Sequence, residues 1–510
     1  MRGDAVLRER MRTVGERMRG AGVRMHSAAE LILRAVGSRW TTALILLWLG
    51  LGSAWIALTA RMGMVFDEEW HLDSIAVHAQ HALPWFPTEA AQEGVGATSR
   101  SSSYLYHYLL SFPDRWMADA GAAEFDRVIV LRLLTVAMHV GAVLCMIGAV
   151  RAAGVSGTVA NLAGVAYAAL PVTPFLAAQV NYDSAMLLLV AACGWVAVRQ
   201  FAGGATWLGV LGAVALGLAA VLTKFHAAPI VLVLLAFVAL AVIRGRALPA
   251  RPARRPGMIA LAALALVTLV LVALCVERFV LNIVEYGSPS PDCAAVLNEL
   301  RCSTYGVWER NREADAAFAD LPLSLSTMTQ FFFDEWVPRL MVYLQAVWYW
   351  FAPPVVSTFV SVAIPIAVIS VIAIAAVVWP TAPRLRELLP IVLSSVLYLA
   401  ILFWHNFGDW RAFGAPLGVQ GRYLLPAVVP ITALAMHGAA DSVRRARIGA
   451  PLLALTAIAM LLIATQGGAA AFIISAQPGW YQPGGPLEGL TDNVRQVVDV
   501  FVGAVAVPSI

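Results

Sequence analysis

The chain has 510 residues, of which 60% are hydrophobic and 13% are charged, and its formal net charge is +4. A soluble domain carries about 25% charged residues, so this composition excludes an ordinary soluble globular enzyme. Apolar runs of about 20 residues recur between short polar breaks, which is typical of membrane-spanning helices. We therefore predict an all-α polytopic membrane protein, a bundle of about eleven transmembrane helices whose outer loops carry short helices.

The basic residues are unevenly distributed, and this predicts the topology. The chain has one lysine, Lys224, and every other Lys or Arg position is an arginine. Residues 1–40 are rich in arginine. Further arginines follow the predicted inner ends of later spans. Because such residues are enriched on the cytoplasmic side, residues 1–40 are predicted to be a cytoplasmic arm and the N-terminus to be inside. We expect a solvated arm rather than an amphipathic surface helix, and no nucleic-acid partner.

The predicted transmembrane domain covers residues 41–470. In chain order the predicted spans are 41–60, 127–150, 162–178, 184–199, 206–222, 227–243, 258–280, 355–379, 388–404, 424–440 and 452–470. The outer loops are predicted at 61–126, 281–335 and 405–423, and an aromatic-rich interfacial helix at 338–351. Residues 471–510 are predicted to form an outer C-terminal tail.

Two of the five cysteines, Cys293 and Cys302, fall in the second outer loop. An oxidising exterior allows them to form a disulfide, which we predict. The other three fall in apolar runs and are expected to pack there. The cysteine spacing fits no metal motif.

Acidic residues concentrate at the start of the first outer loop and at one later helix end. Asp67, Glu68 and Glu69 are consecutive, and Asp183 precedes the predicted fourth span. An acid inside a membrane helix costs about 2.5–3.5 kcal/mol on insertion scales, so such residues indicate a site or a partner. Carboxylates suit a general base that deprotonates a hydroxyl. The alternative for Asp183 is an N-cap of the helix that begins at Ser184.

Two cations are predicted at the same membrane face. Lys224 ends the fifth span and Arg422 begins the tenth. A guanidinium can bind a phosphate through two hydrogen bonds, and cations stabilise a phosphate leaving group as its charge grows. The alternatives are that Lys224 extends to the headgroup region and that Arg422 contacts a phospholipid. The residues by themselves thus indicate a transferase that uses a lipid-linked phosphate donor.

At these residues the chain resembles membrane glycosyltransferases of the GT-C superfamily, in particular the protein O-mannosyltransferase-like and lipid A aminoarabinose transferase-like group. Five short features match in order along residues 41–440: Asp67-Glu68 after the first span, Tyr104-Leu105-Tyr106-His107-Tyr108 in the first loop, Asp183 at the fourth span, Leu222-Thr223-Lys224 after the fifth, and Arg422-Tyr423-Leu424-Leu425-Pro426 at a late span. The chain departs from the family after Lys224, where it has Phe-His-Ala-Ala-Pro in place of the more usual Gly-Pro.

The resemblance implies a polyprenyl-phosphate sugar donor, inversion at the sugar carbon and a first-loop acid as base. Asp67 would be that base, with Glu68 as its partner or as an acceptor-binding residue. Lys224, Arg422 and Tyr423 would hold the donor phosphate, and Asp183 would support the acceptor or orient Lys224. Weaker candidates for substrate binding are Glu69, His71, Tyr104, Tyr106, His107 and Arg411.

No cofactor is predicted, and the use of a divalent metal is left open. His71 and His78 are expected to be loop histidines rather than ligands, because they form no tight ligand cluster. The predicted partners are the donor, membrane lipids and a glycan, lipid or protein acceptor. The predicted location is the cytoplasmic membrane, with the active face outside. The alternatives to an enzyme are a non-enzymatic flippase or carrier for lipid-linked sugars and an envelope-assembly subunit.

Overall fold

The structure, a computed structural model, describes residues 23–64, 67–85, 94–245, 255–318, 321–345, 383–444, 449–464, 467–475, 480–485 and 487–505. The first half of the described chain forms α1 (residues 23–36), α2 (Arg39–Thr59), α3 (Glu68–Ala79), α4 (Leu105–Asp119), α5 (Glu124–Ala152), α6 (Gly157–Ala169), α7 (Val172–Ala178), α8 (Tyr182–Gly203), α9 (Trp207–Thr223) and α10 (Ala228–Arg244).

The second half forms α11 (Arg255–Cys275), α12 (Leu281–Tyr286), α13 (Cys293–Val296), α14 (Glu299–Cys302), α15 (Gly306–Ala317), α16 (Leu325–Gln330), α17 (Val337–Gln345), α18 (Leu389–Phe413), α19 (Leu425–Arg444), α20 (Gly449–Ala464), α21 (Gly468–Ser475) and α22 (Glu488–Val505). Ala60 and Tyr481 form an isolated antiparallel β-bridge.

Seven helices of the described chain are long and apolar enough to cross a membrane by length and composition. The number is eight if α6 and α7, which are bent by 72°, form one broken span. Two further predicted spans fall on α9 and α20, which are apolar but shorter. The predicted span 355–379 lies outside the described residues. The described chain is therefore a helical membrane protein, and the predicted number of eleven spans stays a prediction.

The centre of the bundle is the pairing of α5 with α8, and small residues let the two helices approach closely. A Cβ atom on Gly148 would lie 2.9 Å from the Trp195 ring, and one on Gly141 would lie 3.1 Å from Leu188. Close contact through glycine is typical of helix packing in lipid, where burial of apolar area gives little driving force. In contrast, α11 is almost wholly exposed, as expected of a helix at the lipid-facing edge.

Polar contacts close the two ends of the bundle. At one end, Arg151 donates hydrogen bonds to the carbonyl oxygens of Gly37 and Ser38 and to Asn161 Oδ1. The opposite end carries residues 61–64, 67–85, 94–123, 287–318 and 321–324, and we call it the loop end. There, buried Arg278 donates to the carbonyl oxygens of Pro84, Ser99 and Ser101, at 2.8–3.0 Å. This arginine therefore fixes the first loop against the end of the α11 span.

The predicted outer loops contain short helices, but the helix bounds around them differ from the prediction. The predicted third loop, 405–423, is wrong at its start, because α18 continues to Phe413 and ends at Gly414, whose φ is 63°. The helix continues because Phe407 and Trp410 are buried against neighbouring aromatic rings, so these residues are core rather than loop. The C-terminal segment also reaches the loop end, where the Gln482 N–H donates to the Thr59 carbonyl at 2.8 Å.

Candidate functional site

Asp183 lies buried at the first turn of α8. The interpretation of Asp183 as the N-cap is wrong, because Asn181 is the N-cap and its side chain accepts the Asp183 N–H at 2.8 Å. The carboxylate of Asp183 instead contacts two cations. Oδ1 pairs with Lys224 Nζ, and Oδ2 lies 3.4 Å from Nε of Arg422. The charge of the buried Asp183 carboxylate is thus balanced by two buried cations.

Lys224 follows α9, at the point where the backbone leaves the helix in an extended conformation. Its ammonium group lies 4.5 Å from the ring centre of Tyr182 and 4.7 Å from that of Tyr423. Cation–π contacts of this kind are strong where water is excluded. The interpretation that Lys224 extends to the headgroups is therefore wrong, since its side chain is buried between two tyrosines and Asp183.

Arg422 joins the buried cluster to the first loop. Its Nη2 atom donates to Oδ2 of Asp67 at 3.0 Å. The Arg422 side chain is 4% exposed, whereas that of Asp67 is 54% exposed. The backbone of Asp67 has φ 69° and ψ 23°, a left-handed conformation that residues other than glycine rarely adopt. Such a conformation often accompanies function, and here the open Asp67 carboxylate lies beside the buried Arg422.

Glu68 has a different environment from its neighbour Asp67. Its carboxylate is wholly buried and accepts two hydrogen bonds from Arg132, at 2.9 and 2.6 Å. It also accepts the backbone N–H groups of Met64 and Val180, at 3.0 and 2.9 Å. Four donors occupy this carboxylate, so it is poorly placed to receive a substrate proton. The geometry favours an architectural role for Glu68 over the predicted catalytic one.

Arg132 is a site residue that sequence reasoning missed. It lies within the membrane segment of α5, and its guanidinium also donates to the carbonyl oxygens of Ala57, Ala60 and Arg61 at 2.7–3.2 Å. The carbonyl of Ala57 lies in the last turn of α2 and those of Ala60 and Arg61 follow it, where a helix end leaves backbone oxygens without intrahelical partners. The available signal was an arginine inside the apolar run 127–150, where the positive-inside rule does not explain it.

His71 and His78 lie on α3 in the predicted first loop, and both are buried in one stack with His107. Nδ1 of His71 and Nε2 of His107 are 2.8 Å apart, so one nitrogen donates and the other accepts. Burial lowers the pKa of His71 well below its ordinary value, and the nearby His107, Arg422 and Lys224 lower it further. Burial, and then the charge of His78, lowers the pKa of His107 to about 3. Both rings are therefore neutral at neutral pH.

The weaker candidates are distributed around this cluster. Tyr423 lies under both cations, whereas Tyr106 is buried and its hydroxyl pairs with Thr135 at 2.9 Å. Tyr104 packs under the guanidinium of Arg278, at 4.1 Å. Arg411 donates to the carbonyl oxygen of Leu321 at 2.8 Å, and Glu69 is exposed on α3. The predicted disulfide is present, joining Cys293 to Cys302.

Taken from its contacts, the site is a line of charges that runs Asp67, Arg422, Asp183, Lys224. The four groups come from the first loop and from the ends of three spans, and two carboxylates balance two cations. Among the described residues there is no group of three or more His, Cys, Asp or Glu side chains arranged to hold a metal ion. This arrangement provides a solvent-accessible base, Asp67, close to two buried cations, Arg422 and Lys224.

Comparison of the chain with protein-family models, curated proteins and solved structures finds no match. The resemblance to the GT-C superfamily therefore stays a prediction from short sequence features. Function has to be argued from the site itself.

Proposed function

We propose that the protein is a membrane glycosyltransferase that moves a sugar from a polyprenyl-phosphate donor to an acceptor hydroxyl. The observation that carries this proposal is the contact of exposed Asp67 with buried Arg422, which shares Asp183 with Lys224. The site thus has a base, Asp67, that is exposed to solvent, and two cations, Arg422 and Lys224, that are buried. They lie where an apolar bundle meets its polar loops.

The two cations suit a phosphate that is attached to a lipid. A planar guanidinium binds phosphate oxygens in pairs, and the lysine adds a point charge. Cations within a membrane segment are costly unless they have a partner or a ligand, so their burial supports a functional role. A polyprenyl chain would lie in the bilayer beside the bundle while its phosphate reaches the ends of the spans. A soluble nucleotide donor would not need a site at this depth.

The contact between Arg422 and Asp67 suggests how the donor prepares the base. The donor phosphate replaces Asp67 as the partner of the terminal guanidinium nitrogen, and the Asp67 carboxylate becomes free to accept a proton. The acceptor oxygen then forms a bond to the anomeric carbon as its proton passes to Asp67. The bond from that carbon to the phosphate oxygen breaks, and the electron pair leaves with the phosphate. Arg422 and Lys224 stabilise the growing charge.

Attack from the face opposite the phosphate inverts the sugar carbon. We place the reaction on the outer side of the cytoplasmic membrane, because the arginine-rich segment 1–40 indicates that the N-terminus is inside. No cofactor is part of the proposed step. The sugar stays unassigned.

The test is transfer of label by the purified protein in lipid nanodiscs. Radiolabelled polyprenyl-phosphate sugars and an envelope extract are supplied to wild type, Asp67→Asn and Asp73→Asn. Loss of a general base costs about 100- to 10,000-fold in rate, so we expect that loss in Asp67→Asn, with donor binding retained. Asp73→Asn is the matched control, since Asp73 is an exposed acid of α3 outside the charged cluster.

Equal transfer by wild type and Asp67→Asn would remove Asp67 from the role of base. Absence of transfer with every donor, together with movement of labelled donor across vesicle membranes, would contradict the enzyme and favour a flippase. Intact envelope assembly in a strain whose sole copy carries both Asp67→Asn and Arg422→Gln would instead favour a structural subunit.

A further inference from the structure

A cleft of about 610 Å³ opens at the loop end, between the first and second loops. Trp70 forms part of its wall and connects it to the charged cluster. The Trp70 ring lies 6.3 Å from that of Tyr182, and the latter lies under Lys224. Trp70 is also only three positions from Asp67. The cleft therefore leads towards the proposed base.

The wall of the cleft combines flat aromatic surfaces with uncharged and acidic hydrogen-bonding groups. Trp70, Tyr305 and Trp308 supply the rings, and Asn311, Asp292 and Asp315 supply polar atoms. The indole N–H of Trp308 donates to Oδ2 of Asp292 at 3.0 Å, which fixes the ring beside the carboxylate. Large rings set beside a few positioned polar groups are typical of sites that bind small molecules.

Three contacts shape the cleft, one within the second loop and two between the second loop and the first. The disulfide between Cys293 and Cys302 closes a short segment of the second loop. Beyond it, the hydroxyl of Thr304 accepts the N–H of Gly94 at 3.0 Å. Gly96 has φ 74°, and a Cβ atom there would lie 2.9 Å from the Tyr305 ring. Only glycine permits this close contact, which places Tyr305 in the wall.

The charges of the wall argue against a phosphate as the occupant. Arg312, the basic residue of the cleft, forms a salt bridge with Glu309 at 2.5 Å. The two aspartates of the wall add negative charge, which repels an anion. A sugar fits better, because its C–H face packs on an aromatic ring while its hydroxyls donate to carboxylates and amides. Lipid tails need no such polar groups.

We propose that this cleft binds the acceptor and that the acceptor is a carbohydrate chain. The inference rests on the proposed function, which requires an acceptor hydroxyl beside Asp67. In this arrangement the terminal sugar of the chain extends past Trp70 to the base, and the preceding sugars occupy the cleft against Trp308 and Tyr305.

The test measures, by saturation-transfer NMR, the binding of arabinose, mannose and glucose tetrasaccharides to the full-length protein in nanodiscs. We expect at least one tetrasaccharide to bind wild type and to bind Trp308→Ala about tenfold more weakly, as expected for loss of one aromatic contact. Trp116→Ala is the matched control, because Trp116 is an exposed tryptophan of α4 that does not line the cleft. Asn311→Ala provides a second, milder change in the wall.

Two results with the sugars would overturn the cleft as a carbohydrate site. One is that no tetrasaccharide binds, and the other is that binding is equal in wild type, Trp308→Ala and Asn311→Ala. Binding of acceptor-like peptides in place of all the sugars, with the same dependence on Trp308, would also overturn it and assign a protein acceptor.

A separate measurement distinguishes this failure from failure of the proposed function. Hydrolysis of radiolabelled polyprenyl-phosphate sugar by water, without acceptor, reports on the charged cluster alone. If the donor is hydrolysed but no tetrasaccharide binds, only the assignment of the cleft as a carbohydrate site is overturned. If a tetrasaccharide binds and Trp308→Ala weakens its binding, the cleft is supported as a carbohydrate site. If the donor is then never cleaved, that result contradicts the transferase alone.

Discussion

Arg422 and Asp67 are 355 positions apart in the chain, and their side chains meet at 3.0 Å. One of the pair is buried in the bundle and the other is open to solvent, so the contact joins the membrane domain to the first loop. Since Arg422 also contacts Asp183, and Asp183 pairs with Lys224, the contact connects Asp67 to the whole charged cluster. The predictions below separate the roles of its members.

Arg422→Lys keeps the charge but loses the planar group that binds two oxygens at once. Hydrogen bonds to charged groups contribute about 1.5–3 kcal/mol, so we expect polyprenyl-phosphate binding to weaken about 10- to 100-fold. Binding is measured with labelled polyprenyl phosphate and protein in nanodiscs. The control is Arg100→Lys, because Arg100 lies at the same end and pairs with Glu277 and Glu285. Equal affinity of wild type and Arg422→Lys would exclude a two-point phosphate contact.

Asp183 and Lys224 are expected to behave as one unit. Removal of either partner leaves the other charge buried, which costs about 3–5 kcal/mol, whereas removal of both avoids that cost. In a double-mutant cycle of Asp183→Asn and Lys224→Met, the double variant should be clearly more stable than the sum of the single changes predicts. The readout is the free energy of unfolding, and donor binding should fail in every variant that lacks Lys224. Strict additivity would contradict the buried pair.

Glu68→Gln distinguishes an architectural acid from a catalytic one. The change leaves Arg132 without its charged partner, so we expect a loss of about 3–5 kcal/mol in the free energy of unfolding. The fraction that stays folded should transfer sugar within a few-fold of wild type, in contrast with Asp67→Asn. The double variant Glu68→Gln/Arg132→Met should recover part of the lost stability. Full stability combined with lost transfer would instead assign Glu68 to the reaction.

The stacked histidines predict that stability falls in acid. The folded state keeps His71 and His107 neutral, with the pKa of His107 lowered to about 3 and that of His71 lowered well below its ordinary 6.5. The unfolded chain protonates both rings near pH 6.5, so below that pH it binds more protons than the folded chain. Stability is therefore fully present above pH 6.5 and decreases as the pH falls towards 3. The slope is about 1 kcal/mol per pH unit for each ring.

This slope is measured from unfolding midpoints between pH 7.5 and 5. His107→Gln removes one titrating ring and should flatten the dependence, while His26→Gln, an exposed histidine of α1, should not change it. Identical slopes for wild type and His107→Gln would show that the stacked rings do not control the acid sensitivity.

Several members of the site were predicted from the sequence because their residue types are unusual in a membrane protein. Asp183 and Lys224 stand out as a lone acid and the single lysine in long apolar segments. Arg132 could have been found in the same way, because it is an arginine inside the apolar run 127–150. The different environments of Asp67 and Glu68 could not be predicted, because one of two adjacent residues can face solvent while the other faces the core. Here Asp67 is exposed and Glu68 is buried.

The sequence by itself determined that this protein is helical and lies in a membrane, because apolar runs have no other stable solution in lipid. It also determined which charged residues need an explanation and which two cysteines pair. Only the tertiary structure decided that Arg422 contacts Asp67, that Glu68 is saturated by four donors, and that Trp70 connects a cleft to the charged cluster. Apart from the Met64 N–H, which belongs to the same loop as Glu68, these contacts join residues far apart in the chain. Their geometry depends on how the spans pack, which local residue patterns do not specify.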